Sequence, residues 1–250
     1  MSTGSAPTLR QERRAAALAE RRNRQRHGPS RRRGLGLGAV TGLAIVAGLL
    51  LVGAGLLLNG PRAVPITVLR VTAPAGIPAA GLVLGNPAAP VTIDLYEDFQ
   101  CPACARWGET VFPSLVRNEL AVGAAKVAFH GMSFIGPESR AAGRAAWAAE
   151  RQGRFWDMWA TLYANQGSRE NGGAFGRERL LAMADTLGLD RARFVADLDS
   201  PDAERAVGAD AAAARAAGVN STPTLVINGT RFLGATYPEL ALAIAGAAGS

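Results

Sequence analysis

The stretch YEDFQCPACARW, residues 96–107, contains the only two cysteines of this 250-residue chain, Cys101 and Cys104. Two residues, Pro102 and Ala103, separate them. At this spacing a cysteine pair can bind a zinc ion, form a structural disulfide or exchange electrons as a dithiol. The remainder of the sequence helps to choose among these three chemistries.

Charge is distributed unevenly along the chain. Residues 1–33 contain ten arginines and two glutamates, a net charge of +8, whereas the whole chain carries +7. The part after residue 33 is therefore close to neutral. The sequence predicts a basic tail rather than a basic binding surface, and no nucleic-acid partner is expected.

An uncharged apolar run follows the tail at residues 34–58. As a helix rising ~1.5 Å per residue it would be about 37 Å long, enough to cross a hydrocarbon core of ~30 Å. A cleavable signal peptide has a shorter apolar region of ~7–15 residues, so the run favours an uncleaved single-pass transmembrane anchor. The arginines before it predict a cytoplasmic N-terminus, with the C-terminal domain outside the cell membrane.

Composition divides the outer part of the chain into a linker and one domain. Residues 59–85 are rich in Pro, Ala and Gly and predict a linker, with a short strand at 66–71. Residues 86–250 predict a single α/β domain. Its size is sufficient for one well-buried core.

Within this domain the apolar pattern changes from strand-like to helical and back. Strands are predicted at 91–99 and 126–132, and a block of helices at about 137–199. Two further strands are predicted on either side of an Asn228-Gly229 turn. The helical block is therefore predicted to be an insertion in an α/β domain whose two halves share one sheet.

The predicted location favours redox chemistry at the cysteine pair. Disulfides persist outside the cytoplasm, but two cysteines cannot form a disulfide framework. A structural zinc site needs four ligands, and His130 is the one histidine predicted on the outer side. A disulfide across so short a loop would stabilise the fold only weakly. Dithiol–disulfide exchange is therefore favoured, with no metal and no cofactor expected.

A helix is predicted to begin at the cysteine pair and to continue to about Leu120, with a kink at Pro113. Cys101 would lie at its N-terminus, exposed to substrates, where free N–H groups and the helix dipole favour a thiolate. Pro102 suits the first turn because its missing N–H would have no partner there. Cys104, one turn further on, would be close enough to resolve a mixed disulfide.

Four motifs, taken in order and spacing, resemble the membrane-anchored branch of the DsbA-like thiol-disulfide oxidoreductases, which have a thioredoxin fold with a helical insertion. The motifs are LGNPAAPVTIDLYEDFQCPAC at 84–104, GPESRAAGRAA at 136–146, GRFWDMWATLYANQ at 153–166 and GVNSTPTLVING at 218–229. The resemblance covers roughly residues 82–247. It implies the same fold and the same class of reaction for this chain.

The resemblance also implies roles for individual residues. Cys101 would be the attacking cysteine and Cys104 the resolving one. Thr222-Pro223 would form a cis-proline loop beside the disulfide, which offers backbone groups to an extended substrate peptide. The best-known members have a histidine where this chain has Ala103. The pKa of the attacking thiol is therefore expected between the ~3.5 of the strongest oxidant and the ~7 of thioredoxin.

Thioredoxin and DsbA bury an acid six residues before the first cysteine, and this chain has Leu95 at that position. Glu97 and Asp98 follow closely. In one interpretation, Glu97 or Asp98 replaces that acid as the proton acceptor for Cys104. In the alternative interpretation, both are solvated acids at the end of a strand.

These observations predict a membrane-anchored enzyme that donates its Cys101–Cys104 disulfide to unfolded exported proteins with cysteines. Reoxidation is expected from a quinone-linked membrane protein similar to DsbB or VKOR. One alternative is a reductase or isomerase of exported thiols with the same fold. Another is an anchored peptide-binding or chaperone module in which the cysteines have no role.

Overall fold

The computed structural model describes residues 9–26, 42, 45–46, 48–51 and 66–249. The chain divides into two units, residues 1–64 and 65–250. The described part of the first unit contains helix α1, Leu9–Arg26. The anchor predicted at 34–58 lies largely outside the described residues. Within the described residues, no helix is both long and apolar enough to cross a membrane.

The described part of the second unit contains a mixed sheet with strand order β1-β2-β4-β3-β5-β6. The strands are β1 (Ala79–Ala80), β2 (Val83–Gly85), β3 (Val91–Glu97), β4 (Ala125–Gly131), β5 (Thr224–Ile227) and β6 (Thr230–Phe232). In this sheet β3 and β4 are parallel, and the other neighbours are antiparallel. Parallel strands end at the same edge, so the cysteine pair that follows β3 lies at the carboxyl edge of β3 and β4.

Helices pack against this sheet and against one another. They are α2 (Pro102–Thr110), α3 (Phe112–Leu115), α4 (Pro137–Glu150), α5 (Phe155–Ala164), α6 (Arg177–Thr186), α7 (Arg191–Leu198), α8 (Pro201–Ala216) and α9 (Tyr237–Ala248). Helices α4 to α7 lie between β4 and β5 in the chain, so the predicted helical insertion in an α/β domain is present. Helix α8 packs against β4, and α9 packs against β3 and β5.

Strand β3 presents two different faces. Val91, Ile93, Leu95 and Glu97 are buried, and the residues between them are partly buried. Successive side chains of a strand point to opposite faces, so Glu97 shares the core face with Leu95. This core face belongs to the large apolar cluster that also contains the aromatic side chains of α5. Glu97 is therefore carried into the core by the strand that leads to the cysteines.

The helical segment after the cysteines is interrupted rather than continuous. Helix α2 ends at Thr110, α3 begins at Phe112, and a π-helical turn follows at Val116–Leu120. The helical segment therefore reaches Leu120 as predicted, but it is divided at Val111 instead of being kinked at Pro113. A proline has no N–H for the helix ladder, and its ring clashes with the preceding turn. The first helix ends about one turn before the proline, and Pro113 lies in the first turn of the next helix.

The strand predicted at 66–71 is absent from the structure. Instead, residues 66–74, which we call the strap, are bound through their backbone to side chains of α5 and of its C-cap residue. The bonded pairs are Leu69 with Asn165, Val71 with Thr161 and Ala73 with Asp157. The partners are four residues apart along the helix, a rise of ~6 Å, and two residues apart along the extended strap, a rise of ~6.6 Å. The two spacings therefore match.

The linker predicted at 59–85 extends too far toward the C-terminus, because its last residues belong to the sheet. Strands β1 and β2 lie inside it, and β2 pairs with β4 in the sheet. Gly85 approaches the backbone of Lys126 so closely that a Cβ atom would lie 3.0 Å from its Cα atom. In this stretch Gly85 therefore permits close packing of two strands.

Candidate active site

The two cysteines stand at the start of α2 as free thiols. Cys101 is the N-cap residue and Pro102 occupies the first turn. The amide of Cys101 donates to the carbonyl oxygen of Asp98 at 2.9 Å, which closes the turn between β3 and α2. Cys101 is only 7% exposed and Cys104 is fully buried. The expectation that Cys101 is openly exposed to substrates is therefore wrong.

The loop before β5 covers Cys101. The peptide bond between Thr222 and Pro223 is cis, the isomer that the resemblance implies. The Sγ atom of Cys101 donates to the carbonyl oxygen of Thr222 at 3.4 Å. The fold thus brings Thr222 and Pro223 to the cysteine pair from more than a hundred residues away in the sequence.

The environment of Cys101 favours its thiolate. The pKa of Cys101 is lowered from 9.0 to about 6, mainly because the thiol of Cys104 donates a hydrogen bond to its sulfur. The Thr222 side chain and the amides of Cys104 and Ala103 also donate, and burial partly opposes them by raising the pKa. This pKa lies between ~3.5 and ~7, the range expected for a pair without a histidine at position 103. Ala103 contributes through its amide.

The environment of Cys104 has the opposite effect. Burial raises the pKa of Cys104 far above its ordinary value of 9.0. Its hydrogen bond to Cys101 and the negative charges of Glu97 and Cys101 raise this pKa further. At neutral pH the pair therefore consists of a Cys101 thiolate and a Cys104 thiol, joined by a hydrogen bond.

Glu97 is a fully buried acid near both sulfur atoms. Burial raises its pKa from 4.5 to about 8, against the opposing effect of the hydrogen bond from Trp159 and of the nearby hydroxyl of Tyr163. Its Oε2 atom accepts the indole N–H of Trp159 at 2.8 Å. Its Oε1 atom has no hydrogen-bond partner in the part of the chain that the structure describes. At neutral pH this carboxyl group is poised to gain or lose a proton.

Asp98 is 1% exposed, but its environment differs from that of Glu97. Its Oδ1 atom accepts from the amide of Gln100 at 2.9 Å and from the hydroxyl of Ser139 at 2.6 Å. Its Oδ2 atom accepts from the amides of Phe134 and Ile135 at 2.8 and 3.1 Å. Four donors thus saturate the carboxylate. Asp98 fastens the turn before the cysteines to the loop after β4.

Because both acids are buried, the interpretation of Glu97 and Asp98 as solvated acids at a strand end is wrong. Glu97 lies two residues after Leu95, and a strand returns to the same face every second residue. Glu97 is therefore on the core face at which DsbA-like proteins place a buried acid, one strand repeat closer to the cysteines. This relation was already visible in the alternation of β3.

Three residues near the site were not singled out from the sequence for contacts with residues 97–101, which lead into the cysteine pair and which we call the redox turn. Trp159 donates to Glu97, Tyr163 donates to the carbonyl oxygen of Asp98 at 3.3 Å, and Gln166 donates to the carbonyl oxygens of Phe99 and Cys101. All three lie in the GRFWDMWATLYANQ motif. The apolar spacing of the motif predicted packing, but it contained no signal for these polar contacts.

The arrangement is suited to thiol–disulfide exchange. One sulfur carries a stabilised negative charge, the second is a buried thiol, and an acid with a pKa near neutrality interacts with both. In the described residues, no group of three or more His, Cys, Asp or Glu side chains could hold a metal ion.

Comparisons with known proteins agree with this chemistry. A family model described as Thioredoxin matches residues 79–244. The chain is 30% identical over 151 residues to "Probable disulfide bond formation protein D" of Bacillus cereus, a match covering 58% of this chain and 69% of that protein. The structure resembles that of oxidised BdbD from Bacillus subtilis with a TM-score of 0.64 and 24% identity, covering 72% of this chain and 100% of that chain.

Another relative is a much longer protein. The chain is 33% identical over 156 residues to the Na(+)/H(+) antiporter NhaA of Herminiimonas arsenicoxydans. This match covers 61% of the chain but only 23% of the antiporter, so the chain spans less than a quarter of that relative.

The matches confirm the thioredoxin-like fold with a helical insertion. The chain belongs to the thioredoxin family and, within it, to the DsbA-like thiol-disulfide oxidoreductases.

Proposed function

We propose that this enzyme donates its Cys101–Cys104 disulfide to exported proteins as they fold. The observation that carries the proposal is the opposite shift of the two thiol pKa values. A stabilised thiolate on Cys101 favours the dithiol form, which makes the disulfide a ready oxidant. The name of the Bacillus cereus relative, a probable disulfide bond formation protein, supports this direction of electron flow.

In the proposed reaction, a thiolate of the unfolded substrate attacks the Sγ atom of Cys101 in the disulfide. The Cys101–Cys104 bond breaks, and Cys104 takes up a proton because its buried site favours the neutral thiol. A second substrate thiolate then attacks the substrate sulfur of the mixed disulfide, and Cys101 leaves as its stabilised thiolate. Two electrons pass to the enzyme, and the substrate gains one disulfide.

We assign to Glu97 the exchange of a proton with Cys104 during this step. A group with a pKa of about 8 holds a proton at neutral pH and can still release it. The free Oε1 atom of Glu97 leaves one oxygen available for this exchange. Asp98 is not assigned this role because its four hydrogen-bond donors occupy both of its oxygens.

The Thr222-Pro223 loop is proposed to bind the substrate backbone. The carbonyl oxygen of Thr222 already lies 3.4 Å from the sulfur of Cys101. An extended peptide that pairs with this loop would bring its own cysteine to the same sulfur, a form of strand addition.

We also propose that residues 34–58 anchor the enzyme in the cell membrane with the redox domain outside. The support is the uncharged run of apolar residues, preceded by ten arginines. A quinone-linked membrane protein similar to DsbB or VKOR would then reoxidise the Cys101–Cys104 dithiol. This arrangement keeps the donor close to its oxidant in a compartment where disulfides persist.

One observation favours the reverse reaction as an alternative. The pKa of Cys101, about 6, is closer to the ~7 of thioredoxin than to the ~3.5 of the strongest oxidant. A weaker oxidant would suit a reductase or isomerase of exported thiols. The two functions share every residue of the site and differ in reduction potential.

The reduction potential therefore tests the proposal. The full-length chain in detergent micelles is equilibrated in graded glutathione buffers, and the oxidised fraction of the pair is measured. A value near the about −120 mV of DsbA supports disulfide donation. A value near the about −270 mV of thioredoxin refutes it in favour of the reductase.

A second experiment tests whether the cysteines act on other proteins. Under oxidising growth, Cys104→Ser is expected to accumulate mixed disulfides with exported proteins, and Cys101→Ser is expected to form none. A double variant, Cys101→Ser with Cys104→Ser, that retains full function in cells would instead support a peptide-binding module in which the cysteines have no role.

A further inference from the structure

The side chain of Gln166 joins the helical insertion to the redox turn. Gln166 lies just beyond the C-terminal end of α5, and its Nε2 atom is 2.7 Å from the carbonyl oxygen of Phe99. The same nitrogen is 3.1 Å from the carbonyl oxygen of Cys101. One amide group therefore donates to the two carbonyls on either side of Gln100.

The contact with Cys101 fills a position that the helix leaves open. The carbonyl oxygen of Cys101 accepts the amide of Ala105 at 3.2 Å, a hydrogen bond of the first turn of α2. A carbonyl oxygen has two lone pairs, and Gln166 occupies the second. Its partly positive amide hydrogens also lie near the residue that carries the thiolate.

We propose that Gln166 is a positioning residue for the redox reaction, which holds the turn from Phe99 to Cys101 and thereby favours the Cys101 thiolate. The inference rests on the proposed redox function of the pair. Two effects act in the same direction. The amide hydrogens of Gln166 offset the negative ends of two carbonyl dipoles near the sulfur. The fixed turn also keeps the amides of Ala103 and Cys104 directed at the sulfur.

The turn has other attachments, so its fold does not depend on Gln166 alone. The side chain of Gln100 is bonded to Ser139 and Asn171, and Asp98 is saturated by four donors. Removing the amide of Gln166 is therefore expected to change the thiol more than the fold. Two ionisable groups interact with Cys101, namely Cys104 and Glu97. Such a substitution leaves both of them unchanged.

The test replaces Gln166 with methionine in the full-length chain, which keeps the length of the side chain and removes its donors. The matched control is Gln152→Met. Gln152 also lies in the helical insertion, where its amide bonds the backbone N–H and carbonyl of Asp190 at 2.9 and 3.2 Å. Both substitutions therefore remove an amide that bonds main-chain groups, but only one of them is beside the thiol.

Three quantities are measured for each variant. In the reduced protein these are the pKa of Cys101, from the ultraviolet absorbance of the thiolate, and the melting temperature. The third is the reduction potential of the Cys101–Cys104 pair. Gln166→Met is expected to raise the pKa of Cys101 by about half a unit, which lowers the thiolate-to-thiol ratio about three-fold. Its disulfide becomes correspondingly less oxidising. Gln152→Met is expected to change the melting temperature alone.

Two outcomes would overturn the proposal. One is an unchanged pKa of Cys101 in Gln166→Met, and the other is an equal rise in Gln152→Met, which would indicate a general loosening of the insertion. If Gln166→Met does not fold, Gln166→Glu provides the same test with a negative charge at the carbonyls, and the rise must exceed half a unit. A wild-type enzyme without exchange activity would refute the proposed function, whereas the pKa comparison would still decide the role of Gln166.

Discussion

The hydrogen bond between the two sulfur atoms makes the largest contribution to the lowered pKa of Cys101. Two substitutions at Cys104 separate this bond from all other effects. Cys104→Ala removes the donor, and Cys104→Ser replaces the thiol with a hydroxyl that can donate from the same position. Neither variant can form the internal disulfide, so Cys101 titrates without a coupled thiol beside it.

The expected magnitude follows from the energy of such a bond. A hydrogen bond to a charged group contributes about 1.5–3 kcal/mol, and one pKa unit corresponds to about 1.36 kcal/mol. The pKa of Cys101, about 6 in the intact pair, should therefore rise by about 1–2 units in Cys104→Ala. At pH 7 the thiolate fraction would fall from about 90% to between about 50% and 10%. In Cys104→Ser the pKa should stay near its original value.

The assay is the rate of alkylation of Cys101 by iodoacetamide, measured on both sides of the expected pKa. The thiolate is the reacting species, so the midpoint of the rate profile reports its pKa. The profile of Cys104→Ala should be displaced to higher pH relative to that of Cys104→Ser. Coincident profiles would show that the neighbouring thiol does not stabilise the thiolate, and the explanation of the lowered pKa would be refuted.

Three further predictions concern buried polar groups. Folding raises the pKa of Glu97 from 4.5 to about 8, so its carboxyl group destabilises the fold increasingly as the pH rises between these values. Glu97→Gln should therefore increase the free energy of unfolding in urea by up to about 3 kcal/mol at pH 7 and by much less below about pH 4. An equal increase at the two pH values would contradict the raised pKa of Glu97. Asp98→Asn places an amide NH2 group against hydrogen-bond donors, so it should lower the free energy of unfolding by about 3 kcal/mol or more in the same assay. The control Asp202→Asn, on the exposed face of α8, should lower it by less than about 0.5 kcal/mol. Asn165→Ala removes both hydrogen bonds to Leu69 and should lower the free energy of unfolding by about 2 kcal/mol. Hydrogen exchange at the Leu69 amide should become faster. Unchanged exchange would show that other contacts hold the strap.

Local patterns were sufficient for much of the fold. Ser200 before Pro201 forms the N-cap of α8, and Gly218 lies just beyond the end of that helix with a positive φ. Asn228 and Gly229 both have positive φ in the turn between β5 and β6, as an Asn-Gly hairpin turn requires. These features are encoded within a few residues, so their sequence signals are direct.

The features that were missed depend on contacts between distant segments. The strap has an apolar, strand-like sequence at 66–71, but its partners are polar side chains at one-turn spacing on α5. Periodicity gives no information on such a pairing, because the helix and the strap are far apart in the sequence. The low exposure of Cys101 has the same origin, since Thr222 covers it from the other half of the domain.

The helical insertion is part of the redox chemistry rather than an addition to it. Helix α5 supplies the indole that binds Glu97, and the residues after it supply the amide that binds the turn at Cys101. The same helix binds the strap through Asp157 and Thr161, and its C-cap residue Asn165 adds a third attachment. A shift of α5 by a fraction of an ångström would therefore change the partners of the buried acid and of the thiolate turn together. Because both contacts favour the charged forms of the groups involved, the thiol pKa of this enzyme depends on the packing of a helix that begins more than fifty residues after the cysteines.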